Sequence, residues 1–146
     1  MNEDIMKEYV TASTIAASQE RVWAVLAHGE AYREWNPEII GVRGQFALGA
    51  RIVAQVRLGN GVVRSVPQRV VEFQPPFRMT WQGGLPLGLF VGRRTFTLTA
   101  DANGVEFRMH LQMSGPLSSL ILKSVGDRQP EIDSFAAALK RRCEAP

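Results

Sequence analysis

The chain has 146 residues, enough for one domain spanning 1–146, and its 45% hydrophobic, 21% charged composition gives an ordinary packed core and excludes a disordered chain. No apolar run approaches the roughly 18 residues of a membrane span, and the polar, acidic start MNEDIMKEYV lacks the basic-then-apolar layout of a secretory signal. A single cysteine, Cys143, excludes an internal disulfide, so a cytoplasmic home and no integral membrane association are the expectations.

Net charge is +3, unevenly spread. Eight arginines (43, 51, 57, 64, 69, 78, 93 and 94) lie between Ile39 and Ala100 with Glu72 as the one acid. Such asymmetry suits either an anionic partner or a charged, solvated sheet face that resists edge pairing. There is no basic run and no interleaving with exposed aromatics, so nucleic acid is not an expected partner.

In chain order, Tyr9 to Ile15 alternate as a first strand. Ser18 is placed as the N-cap of a helix over SQERVWAVLAH, whose apolar face is Val22, Trp23, Val25 and Leu26. A second short helix, about 30–35, ends at Trp35, because Asn36 precedes Pro37 and is pushed out of helical geometry. Period-two alternation then predicts strands near 39–46, 50–58, 62–73, 77–82, 90–100 and 104–113. GNG (59–61) and DANG (101–104) suit tight hairpins, QPP (74–76) a turn, and GGLPLG (83–88) a looser loop. Pro67 within its strand implies a bulge or an edge. At the end, Leu117, Leu120, Ile121 and Val125 form one helical stripe. Ile132, Phe135 and Leu139 continue it after GDRQP (126–130), where Gly126 and Pro130 predict a kink or break. Six antiparallel strands following a first one, with a terminal helix across the concave face, bury these stripes in an α+β fold.

Strand parity gives the inward side chains. They are Ile52, Ala54 and Val56 in one strand, and Phe77, Met79 and Trp81 in another. Phe90, Gly92, Arg94, Phe96 and Leu98 follow, then Val105, Phe107, Met109, Leu111 and Met113. Most arginines fall on the outer face. Arg94 does not, and an unpaired buried guanidinium is costly. Three readings of it stand open: an anionic group on a ligand, an internal acid such as Glu34, Glu38 or Asp133, or a bulge that turns it outward. His28 and His110 have no companion at metal-ligand spacing, and no nucleophile elbow, phosphate loop or dinucleotide fingerprint occurs, so neither a metal nor a cofactor is expected.

Four stretches, STIAASQERVWAVLAHGEAYREWNPEI, RVVEFQPPFRMTW, GLFVGRRTFTLTADANGVEF and FAAALKRR, taken in order, resemble the START-like or SRPBCC superfamily, the polyketide cyclase/dehydrase and lipid transport group. The resemblance covers nearly the whole chain. It implies a helix-grip (Bet v 1-like) fold, a curved antiparallel sheet of about seven strands around a long C-terminal helix, with two short helices after the first strand. It also implies a deep apolar cavity between sheet and terminal helix. The chain departs from the resemblance where a histidine commonly stands at the position of Arg94 and an acid at that of Leu111, so no polar catalytic pair carries over.

The expected function is binding, for transport or sensing, of a small hydrophobic ligand, with an anionic group one alternative. Arg94 would anchor it. Trp35, Met79, Trp81, Phe90, Phe96 and Phe107 would form its walls with Met109, Leu111, Met113, Leu120 and Phe135. No catalytic residue is assigned. The alternatives are a polyketide cyclase or aromatase-type enzyme, and a protein-interaction domain of the chaperone-activator kind using the basic sheet face. A monomer or homodimer is expected.

Overall fold

A computed structural model describes residues 5–146; the acidic start, residues 1–4, lies outside the described residues. β1 (Ile5–Ile15) leads to α1 (Gln19–Leu26) and a 3₁₀ turn (Gly29–Glu34). Six strands follow: β2 (Ile39–Arg43), β3 (Arg51–Arg57), β4 (Val63–Gln74), β5 (Arg78–Leu85), β6 (Phe90–Asp101) and β7 (Gly104–Ser114). Two helices, α2 (Ser118–Val125) and α3 (Gln129–Glu144), close the chain.

The seven strands form one antiparallel sheet in the order β1-β7-β6-β5-β4-β3-β2. Among the described residues, β1 is the only strand out of sequence order. It pairs with β7 and carries α3, so the grip closes on the first and last segments of the chain. This is the helix-grip arrangement. The terminal helix is broken in two where the sequence predicts a kink or break: Gly126 adopts a φ of 78° and Pro130 stands at the start of α3.

The helix starts obey their local chemistry. Ser18 is extended, and its hydroxyl accepts from the Arg21 N–H at 3.1 Å, a cap of about 1 kcal/mol. The second short helix is a 3₁₀ turn that gives out at Trp35. Beyond it, the Asn36 side-chain oxygen accepts from the N–H groups of Glu38 (3.0 Å) and Ile39 (2.9 Å). That turn swings the chain into β2 and aims Glu38 inward.

Boundaries differ from expectation at β2, which ends at Arg43, and at both ends of β5. β5 runs on through Gly83, Gly84 and Leu85, which pair with Gly92, Val91 and Phe90, so the loose loop is only 86–89. Phe77 lies in the preceding turn and is 56% exposed, because its N–H closes that turn onto the Gln74 carbonyl at 2.7 Å and β5 starts only at Arg78. Pro67 pairs with Val53 on the β3 side, while the β4–β5 register begins only at Arg69, so the proline occupies a local edge.

The core fills the far half of the grip. Met79, Trp81, Phe96, Phe107, Met109 and Phe135 are fully buried there. Phe107 stacks on Phe135 at 6.0 Å, Trp81 meets Phe96 edge-on at 5.0 Å, and Phe46 stacks on Trp81 at 5.2 Å. Aromatic pairs of this kind add about 0.5–1.5 kcal/mol each beyond area burial.

Candidate functional site

The near half of the grip, where β3, β4, β6 and β7 approach α2, is hollow. A cavity of about 240 Å³ lies there. Its apolar lining is Val56, Leu58, Val66, Phe90, Leu111, Met113, Ile121 and Val125, and its polar lining is Arg64, Gln68, Arg94 and Arg128. Gly92 also lines it, and the missing side chain there is part of the space. This volume is below the roughly 300–1,000 Å³ usual for drug-sized ligands, so it suits a smaller molecule.

The inner end of the cavity carries a buried ionic triad. Arg94 donates from Nη1 to Glu38 Oε1 and from Nη2 to Glu38 Oε2, both at 2.7 Å. Arg128 donates from Nη2 to Glu38 Oε2 at 2.9 Å. The side chain of Glu38 is fully buried, that of Arg128 is 3% exposed and that of Arg94 10%. Of the three readings of Arg94, the internal acid holds, and the acid is Glu38. Burial alone would raise the Glu38 carboxyl, but the charges and hydrogen bonds of Arg94 and Arg128 outweigh it and hold the group below the usual carboxylate range. Glu38 is therefore ionised. Two guanidiniums against one carboxylate leave an excess positive charge beside an apolar space.

Arg94 is engaged at both of its Nη nitrogens by this geometry. Arg128 is not: its Nη1 is buried with no partner among the described residues. Three other buried side-chain atoms share that state, on Asn36, Trp81 and Glu131, but only Arg128 belongs to the cavity lining. Arg128 reaches the site because the break between α2 and α3 places it just before α3.

Of the residues expected from the sequence, Phe90, Arg94, Leu111 and Met113 line the cavity. Met79, Trp81, Phe96, Phe107, Met109 and Phe135 share the inward face but belong to the aromatic core behind the triad. Leu120 is 62% exposed on α2, whose cavity face is Ile121 and Val125. Trp35 packs edge-on against Tyr32 (5.1 Å) and Phe135 (5.8 Å). Its other side borders a groove of about 440 Å³ between α1 and the C-terminus, lined by Arg21, His28 and Arg142 among others. That groove lies outside the grip. Sequence reasoning did not single out Arg128, Gln68, Val66, Ile121 or Val125 as lining. The signal for Arg128 was a charged residue in the break of a helix laid over an apolar face.

On the outer face Arg51, Arg57 and Arg69 are exposed, while Arg78 pairs with Glu72 at 2.8 Å and Arg93 donates to Gln82 at 3.0 Å. Cys143 is buried, which pushes its thiol up to about 11. No helix among the described residues is long and apolar enough to cross a membrane.

Residues 6–144 match the family described as polyketide cyclase / dehydrase and lipid transport. No curated protein matches by sequence. Among solved structures, the chain is similar to the Zhui aromatase/cyclase from Streptomyces sp. R1128, with a TM-score of 0.73 at 14% identity over 94% of this chain and 93% of that one. It is similar to a START superfamily protein from Mycobacterium smegmatis, with a TM-score of 0.68 at 18% identity over 94% of this chain and 97% of that one. Protein MLL2253 from Mesorhizobium loti gives 0.70 at 20% identity, over 92% and 95%. At these identities the likeness speaks for the fold.

Proposed function

The chain belongs to the polyketide cyclase / dehydrase and lipid transport family, and on that premise we propose that it binds a small hydrophobic molecule in the cavity under α2, for carriage or sensing. The observation that carries this is the division of the interior. An aromatic core fills one half of the grip, and the other half is an apolar hollow with a buried pair of arginines at its inner end. Apolar walls supply affinity and a few convergent polar groups supply orientation. Met113 gives the wall an adaptable component.

Binding is favoured over a cyclase reaction by the same residues. A cyclase needs a group to take and return a proton. The polar lining consists of three arginines and a glutamine, and the nearby carboxylate of Glu38 is held by three charge-assisted hydrogen bonds behind them. A cytoplasmic setting suits a chain whose one cysteine is a buried free thiol.

Native mass spectrometry of freshly purified protein tests the proposal, together with thermal shift against short fatty acids, alcohols and aromatic acids. A ligand at about a hundred times its Kd adds about 2.7 kcal/mol. For a domain of this size that is a Tm rise of roughly 5–10 °C. No co-purifying mass and no shift with any class would refute it.

A further inference from the structure

We infer that the cavity selects a ligand with a single carboxylate, and that this group seats at the buried Arg94–Arg128 pair rather than on the exposed Arg64. The inference rests on the cavity proposal and adds the ligand's chemical class and the residues that read it.

The polar lining contributes three guanidinium groups and no acid; among the described residues the only carboxylate in contact with them is Glu38. One positive charge at the inner end is therefore unmatched where apolar walls weaken dielectric screening. A cation would meet repulsion there, and a dianion would overcompensate. A monoanion leaves the buried set neutral.

Burial then locates the contact. Both Nη nitrogens of Arg94 donate to Glu38, and Nη1 also touches the Met109 sulfur at 3.3 Å. Arg128 uses Nη2 on Glu38, and its buried Nη1 has no partner among the described residues. Glu38 clamps both guanidiniums, so the surplus charge is held in place before a ligand arrives and loses little freedom on binding. A carboxylate oxygen is the acceptor that guanidinium geometry favours. The other lining side chain with a neutral donor is Gln68, and Arg64 is exposed.

Titration calorimetry with octanoate, octanol and octylamine tests this on the full chain. Octanoate should bind at least about tenfold tighter than octanol, the increment of one charge-assisted hydrogen bond, and octylamine should not bind. Arg128→Met should bind octanoate and octanol alike, while Arg64→Met should keep the preference. Octanol binding as tightly as octanoate to the wild type would overturn the carboxylate assignment and leave the cavity proposal standing. Loss of the preference in Arg64→Met but not in Arg128→Met would put the anion at the other cation and overturn the placement. Absence of binding by all three probes would overturn both. The wild-type ratio and the Arg64 variant decide the matter even if Arg128→Met fails to fold.

Discussion

Replacing Glu38 by glutamine removes one charge and almost no volume, so it isolates the electrostatic role of the triad. Three hydrogen bonds of 2.7, 2.7 and 2.9 Å converge on this carboxylate. An amide keeps one acceptor oxygen and turns an NH₂ toward a guanidinium. Arg94 and Arg128 are then two cations in a dry site with no anion. Breaking a buried pair from one side costs about 3–5 kcal/mol. At roughly 2–4 °C per kcal/mol for a domain of this size, Tm should fall on the order of 6–20 °C in Glu38→Gln. Thermal unfolding followed by circular dichroism at neutral pH measures it, with far-ultraviolet spectra verifying that the fold is retained at low temperature. The damage would come from stranded charge and not from a lost contact, so Glu38→Leu combined with Arg94→Met and Arg128→Met should recover much of the loss. A drop below about 2 °C in Glu38→Gln, or a triple variant less stable than the single one, would refute the reasoning.

Further outcomes follow from the same geometry. The Glu38 carboxyl is depressed in the folded state, so its stabilisation is complete above the ordinary carboxylate range and is lost as pH falls through its lower folded value. Urea midpoints should hold steady from neutrality to about pH 5 and then fall, and the fall should be shallower in Glu38→Gln; equal slopes would remove Glu38 from the account. At Gly92, an added Cβ would meet the Phe90 ring at 3.6 Å and Gly83 O at 3.9 Å, ordinary contact distances. Gly92→Val should therefore fold with unchanged or slightly raised stability, by up to about 1 kcal/mol, yet abolish octanoate binding in calorimetry. Retained affinity would place the ligand elsewhere. The Cys143 thiol, pushed up to about 11 by burial, should react with a disulfide reagent at pH 8 far more slowly in the native protein than in urea. Equal rates would contradict its burial.

How much of this could be read beforehand depended on the range of the interaction. The alternation from Val105 to Met113 is written residue by residue, and every one of its inward side chains is buried. Ser18, Asn36, Gly126 and Pro130 act on their nearest neighbours, so the turns and helix ends they set were also legible. Gly83 and Gly84 read as loop because glycine lacks strand propensity, but their partners in β6 keep them in the sheet. Parity could place Arg94 inside but could not choose among three acids, since Glu38 lies 56 residues away. Nor could it separate wall from core. Phe96 and Phe90 share one face of one strand, and only the chain folded above them decides which faces a ring and which faces space.

The triad also fixes when the site can exist. Glu38 and Arg128 are 90 residues apart, and no bond of the triad is local. Contacts that span so much sequence form late, after the sheet has closed the intervening loops. As the chain leaves the ribosome, Glu38 and Arg94 are available long before Arg128, and together they make a balanced pair. The surplus positive charge arrives only with the last helix. A product truncated within α2 would lack both that charge and Phe135, so the selectivity of the site and the aromatic core behind it are completed by the same last segment of chain.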